Sequence, residues 1–208
     1  MQIVAFDADE LADGSGKAAI TWISKQLLNS DHRMNPKMEK DTSDSSKYVI
    51  GTGCIGGWKD SEMRAWLQSD VKALIPPTVR RAIKPVTKYS ISYNKYCVSS
   101  NTGNEKTLNE VSVEDIWIPS WRELYGSKPE DSEDYSILAN YIESEGATYT
   151  LFDSEEDRVK QKVGESDASG WWLRSGANGD SFYYISQNGY NSCYYAEDSY
   201  GVALGFCM

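Results

Sequence analysis

The chain carries one histidine, His32, and four cysteines, Cys54, Cys97, Cys193 and Cys207. A Ser-His-Asp or Cys-His nucleophile would have to be built on His32. That residue sits in Ser30-Asp31-His32-Arg33-Met34-Asn35, a polar stretch without a nucleophile-elbow pattern. It reads as a surface or structural histidine. The same count excludes a zinc site built on histidines, and no Cys-x-x-Cys pair is present. Each cysteine is expected to be a buried free thiol, and the spacing assigns no disulfide. With 31 acidic residues, some carboxylate pair of glycosidase type will always look suggestive, so that signal is nearly empty. Asp7, Asp9 and Asp13-Gly14 lack the register and terminal Glu of a calcium loop. They read as a turn with Asx-type capping. Gly53-Cys54-Ile55-Gly56-Gly57 lacks the Gly-Lys-Ser/Thr ending of a phosphate loop. No catalytic residue, cofactor or metal is expected.

The residues suited to recognition lie near the C-terminus. Six tyrosines fall between Phe182 and Tyr200, namely Tyr183, Tyr184, Tyr190, Tyr194, Tyr195 and Tyr200, with Ser186, Asn188, Asn191 and Ser192 among them. Tyrosine offers a large amphipathic area with only two torsions to freeze, and Ser and Asn offer adaptable hydrogen bonds. Side chains alternate faces along a strand, so consecutive tyrosines cannot all be core, and at least some of Tyr183, Tyr184, Tyr194 and Tyr195 must face solvent or a partner. The competing reading is a twisted hairpin held by cross-strand aromatic pairs.

The elements that must position these residues follow from local pattern. Ser181–Ser186 and Tyr190–Tyr195 flank Gln187-Asn188-Gly189, a hairpin signal in which both Asn and Gly accept positive φ. Gly170–Ser175 reads as an aromatic strand, and Val202–Cys207 as a buried central strand. Upstream, strands are expected over Ile3–Phe6, Ala18–Ser24, Tyr89–Val98 and Asp115–Ile118, with a turn over 99–104. Residues 31–46 read as loop, and the four glycines of 51–57 as a tight connection. A helix capped by Asp60 should place Met63, Trp66 and Leu67 on one face. A second follows Pro76-Pro77, with Val79 and Ile83 on one side and Pro85 as its stop. Ser120 and Glu123 form a capping box for a short helix ended by Gly126, and Ser154 opens another. Trp66, Trp117, Trp172 and Phe206 are the expected core anchors.

Length and composition fit one domain over 1–208, with 1–50 as an N-terminal elaboration and 170–208 as the ligand-binding region. Hydrophobic residues make up 40% and Trp occurs seven times, enough apolar mass for a core, while mean hydropathy stays low at −0.56. No run of about 18 apolar residues occurs, so membrane insertion is not expected. Met1–Asp7 lacks the features of a signal peptide. Export by that route would need further sequence upstream. The net charge of −10 argues against a nucleic-acid partner. Between Pro129 and Asp157 there is no Lys or Arg, while Glu130, Asp131, Glu133, Asp134, Glu143, Glu145, Asp153, Glu155, Glu156 and Asp157 all fall there. That stretch reads as a solvated face.

Four spaced segments carry a resemblance: Trp58–Leu67, Ile116–Ser120, Trp171–Ser175 and Gly201–Cys207. Together they resemble a bacterial and phage domain family of unassigned function with a C-type-lectin-like, formylglycine-generating-enzyme-like fold. The resemblance runs from about Ala18 to the end. It implies an α+β fold with a mixed, mostly antiparallel sheet, short helices and long loops. Some members resemble the variable proteins of diversity-generating retroelements, in which rewriting of adenines turns Asn codons into Tyr, Ser, Asp, Phe, Ile or Cys codons. By that resemblance the diversified, ligand-binding positions are Phe182, Tyr184, Ser186, Asn188, Tyr190, Asn191, Ser192, Tyr194, Tyr195, Glu197 and Asp198, with Ile185, Gly189, Ala196 and Gly201 as fixed scaffold. The implied partner is a protein or glycan, met on a phage particle or bacterial surface. An enzyme of the formylglycine-generating type is the alternative, although Cys193 and Cys207 give no support for a redox pair. A structural module of a larger assembly is the third reading. The Glu-Pro-Asn, Gln-Pro-Asp and Trp-Asn-Asp motifs of calcium-dependent sugar-binding lectins are absent.

Overall fold

A computed structural model describes residues 1–93, 107–126 and 144–208. The fold is α+β, built from small antiparallel sheets and short helices. β1 (Gln2–Phe6) pairs with β2 (Ile20–Ile23), and β2 pairs on its other side with the last strand of the chain. β3 is only His32–Arg33. The helical segment runs from α1 (Glu62–Trp66) through a π-helical turn, Leu67–Val71, into α2 (Lys72–Leu74). Its cap is Ser61 rather than Asp60: the Ser61 hydroxyl accepts the Arg64 N–H at 3.1 Å. α3 (Pro77–Ala82) starts at proline and ends before Pro85, as its sequence demands.

β4 (Val86–Tyr93) and β5 (Thr107–Glu114) form a long antiparallel ladder. The expected turn at 99–104, the second half of the expected strand Tyr89–Val98, and Cys97 lie outside the described residues. Asp115–Ile118 is not a strand. Trp117 makes a single bridge to Gly205, because β5 has already ended at Glu114. The capping boxes at α4 (Trp121–Tyr125) and α5 (Glu155–Arg158) are both present, and Gly126 closes α4 at φ 64°.

β6 (Lys160–Gln161) and β7 (Ala168–Ser169) form a short pair. The site-bearing sheet has the order β10-β9-β8, from β8 (Trp171–Gly176), β9 (Ser181–Ile185) and β10 (Asn191–Tyr195). β11 (Ser199–Tyr200) pairs with β3. β12 covers Gly205–Cys207 only. It lies between β2 and the bridges made by Trp117 and Lys84, so the buried central position is met by three residues rather than six.

One core unites these pieces, from Val4 and Ile23 through Trp58, Trp117, Trp171 and Trp172 to Phe206. Trp66 is a correction: it is half-buried and stacks on His32 with ring centres 4.2 Å apart. Its helix is covered on one side only, so the residue at the edge of the apolar stripe keeps one ring face for the histidine. Among the described residues no helix is long and apolar enough to cross a membrane.

Candidate functional site

The expected hairpin forms, with Asn191 opposite Ile185 and Tyr195 opposite Ser181. Its turn differs from the two-residue form. The Gly189 N–H donates to the Ser186 carbonyl at 3.0 Å, and the Ser186 N–H donates to the Tyr190 carbonyl at 2.7 Å. Gly189 takes φ 84° while Asn188 stays at negative φ. This is a type I turn closed by a glycine bulge. A side chain on Gly189 is also excluded by space, since an added Cβ would lie 2.1 Å from the Glu155 carbonyl oxygen. The turn is therefore seated on α5, where Arg158 Nε donates to the Gly189 carbonyl at 3.3 Å.

The eleven sequence-selected positions divide sharply. Asn188, Tyr190, Asn191, Ser192, Tyr194 and Tyr195 are exposed. Ser186, Glu197 and Asp198 are half-buried. Phe182 and Tyr184 are corrections: they are 0% and 8% exposed. β9 is the middle strand of its sheet and both its faces are covered. On one face the Tyr183 ring lies 4.6 Å from that of Trp121. On the other, Tyr184 sits on Gly170, contacts Tyr200 at 4.5 Å and meets Tyr194 edge-on at 5.1 Å. Burial and the neighbouring tyrosines push the Tyr200 hydroxyl up to about 12. The expected scaffold residues Ile185, Gly189, Ala196 and Gly201 are all buried.

β10 is the outer strand. Tyr190, Tyr194 and Tyr195 are 55%, 42% and 57% exposed. Tyr194 and Tyr195 point to opposite faces, so the aromatic surface wraps an edge rather than covering one plane. Cys193 is half-buried; Cys54, Cys193 and Cys207 form no disulfide.

Sequence reasoning missed a second concentration of chemistry, a charged cluster in the core. Lys88, Asp9, Glu123, Glu145 and Arg174 are each 5% exposed or less. Lys88 Nζ donates to Asp9 Oδ1 at 2.5 Å, Glu123 Oε1 at 2.7 Å and the Tyr149 hydroxyl at 2.8 Å. Arg174 grips Glu123 with two nitrogens, at 2.5 and 2.9 Å, and donates to the Glu145 carbonyl at 2.6 Å. Glu145 accepts the Ile91 N–H at 3.0 Å and the Ser175 hydroxyl. Burial raises the Glu145 carboxyl to about 7 despite Arg174 and Ser175. Burial alone would raise Asp9 and Glu123 too, but Lys88 beside Asp9 and Arg174 and Lys88 beside Glu123 hold both below the ordinary carboxylate range. Glu145 thus departs from the expected solvated acidic face, whereas Asp153, Glu155, Glu156 and Asp157 conform to it. The earlier members of that stretch, Glu130 to Glu143, lie outside the described residues. Asp13 makes the expected Asx turn, its Oδ1 accepting the Ser15 N–H at 2.9 Å, but Asp9 belongs to the core. One signal was available: Lys88 falls on the same strand face as Val86 and Ser90, both buried.

A family model described as a domain of unknown function (DUF6273) matches residues 38–208. That is most of the chain, and the chain belongs to this family. No curated protein and no solved structure matches it.

Proposed function

We propose that this member of the family is a ligand-binding protein whose recognition surface is the outer hairpin strand and its turn, on a C-type-lectin-like frame. The observation that carries the reading is the exposure of Tyr194 and Tyr195 on the outer strand, and of Tyr190 in the turn that leads into it, while the residues that support the hairpin are buried. Large aromatic area left open on an ordered element marks interaction sites. Asn188, Asn191 and Ser192 stand beside the tyrosines as hydrogen-bonding groups. The partner class is a protein or a glycan. Residue type fits the same partition: the exposed positions have the residue types that adenine rewriting of Asn codons produces, and the four scaffold positions are buried. On this reading the exposed set, without Phe182 and Tyr184, is the diversified surface.

The test is a triple variant, Tyr190→Ser, Tyr194→Ser and Tyr195→Ser, compared with the natural chain on glycan arrays and on displayed libraries of bacterial surface proteins. The natural chain should bind a discrete subset, and the variant should lose that subset while keeping its melting temperature. Binding retained in full by the variant excludes the hairpin as the recognition surface.

A further inference from the structure

The contact between Lys88 and Asp9 has chemical as well as electrostatic content. An ammonium and a carboxylate at 2.5 Å, both nearly sealed from water, are the two reactants of amide formation already in place. Fixing them together removes the entropic cost of their encounter. The surroundings favour the condensed product. The Lys88 Nζ lies 4.1 Å from the centre of the Trp117 ring, and burying two separate charges there is expensive, whereas a neutral amide carries none.

The Asp9 carboxylate is held from several sides. Its Oδ2 accepts the Thr21 hydroxyl at 2.6 Å and faces Cys207 Sγ at 3.4 Å. The Tyr149 hydroxyl lies 3.1 and 3.2 Å from its two oxygens. These donors point at the atoms that gain negative charge when a nucleophile adds to the carboxyl carbon. Glu123 Oε1, at 2.7 Å from Nζ, is in reach to take a proton from the ammonium. Arg174 and the Ser120 N–H, the latter at 2.9 Å, fix that carboxylate in place. Asp9 and Lys88 also line a cavity of about 270 Å³ beside Thr87 and Gly146, which offers a released water a way out.

We propose that Lys88 and Asp9 become joined by a side-chain isopeptide bond, with Glu123 as the catalytic proton carrier and Thr21 and Tyr149 as oxyanion donors. Glu123 accepts one proton from the Lys88 ammonium. The freed lone pair on Nζ adds to the Asp9 carboxyl carbon, forming the N–C bond. The proton held by Glu123 and a second proton from nitrogen pass to one Asp9 oxygen, and its C–O bond breaks to release water. The amide keeps one N–H, Glu123 ends as it began, and no atom is oxidised or reduced. The bond staples β4 to the segment that follows β1.

The test is the intact mass of the full folded chain after incubation at neutral pH, measured under denaturing conditions. The expected mass is one water below the sequence mass, with tandem mass spectrometry joining the peptide that holds Asp9 to the peptide that holds Lys88. Glu123→Gln should slow formation by about 10²-fold or more, the usual contribution of a proton-transfer group. Should that variant fail to fold, the natural chain decides the matter alone. An unchanged mass in protein that is folded by circular dichroism overturns the proposal. So does a water loss that maps elsewhere, such as a succinimide at Asp13-Gly14. A cross-link formed at the natural rate in Glu123→Gln removes the role given to Glu123.

Discussion

The charged cluster around Glu123 and the aromatic strand around Tyr194 both invert the usual distribution of side chains. The cluster buries two cations and three carboxyl groups, and the hairpin exposes three large aromatic rings. They differ in how completely the inversion is compensated. In the cluster every carboxylate and both cations have hydrogen-bonding partners within the chain. On the hairpin, Tyr195 and Tyr190 leave more than half of their surface to solvent, the Tyr190 hydroxyl meeting Glu155. A compensated inversion is expensive to build and costs a great deal more when one partner is removed, whereas an uncompensated one is cheap to remove and waits on a partner.

Arg174→Met is the strongest way to break that contrast. It leaves Glu123 buried with one cation fewer, and the expected loss is about 3–5 kcal/mol in urea unfolding. A loss below about 1 kcal/mol would show that the cluster relaxes through water.

Tyr184→Ser sharpens the boundary between the two regions. Tyr184 is 8% exposed and packs on Gly170, Tyr194 and Tyr200. Its removal should cost about 3 kcal/mol, as for other buried aromatics. A cost near that of an exposed tyrosine would return Tyr184 to the recognition surface.

Gly189→Ala probes the seat of the turn. Positive φ without glycine costs about 1–2 kcal/mol, and the added Cβ must also displace Glu155. Thermal melts should fall accordingly, with the hairpin amide protons exchanging faster than those of β4.

The cluster should also leave a pH signature. Burial raises the Glu145 carboxyl to about 7 from 4.5, so folding favours its protonated form. Its contribution to stability is full below about pH 4.5 and is lost as pH rises through about 7. Glu123 acts in the opposite sense: held below its ordinary value, it adds stability above that value and loses it as pH falls. Stability should therefore peak on the acid side of neutrality. In Glu145→Gln the decline between about pH 5 and pH 8 should flatten, and a decline of undiminished slope would assign it to another group.

The smallest effect is expected at Tyr195→Ser. An exposed edge residue should change stability by about 0.5 kcal/mol or less. A larger loss would mean that the outer strand contributes to the fold rather than serving recognition.

Local pattern settled much of this molecule. Ser120 with Glu123, and Ser154 with its acidic first turn, predicted two helix starts, because a cap is satisfied within four residues. Asn188-Gly189 between β-prone runs predicted the hairpin for the same reason, although the turn closes over three residues with only Gly189 at positive φ. Strand alternation predicted that some tyrosines of the two pairs are exposed; Tyr194 and Tyr195 are, whereas Tyr183 and Tyr184, on opposite faces of the middle strand, are both buried. Which tyrosines are exposed was decided by strand order alone: β9 lies between two strands and β10 lies outside, so Tyr184 is covered and Tyr195 is not. The cluster was hidden more deeply. Asp9 and Glu145 stand in polar, acidic surroundings that read as solvated, and their cations Lys88 and Arg174 are 79 and 29 residues away. A charge is buried only where a distant partner meets it. No window of sequence contains both members of such a pair, so only the folded chain brings them together.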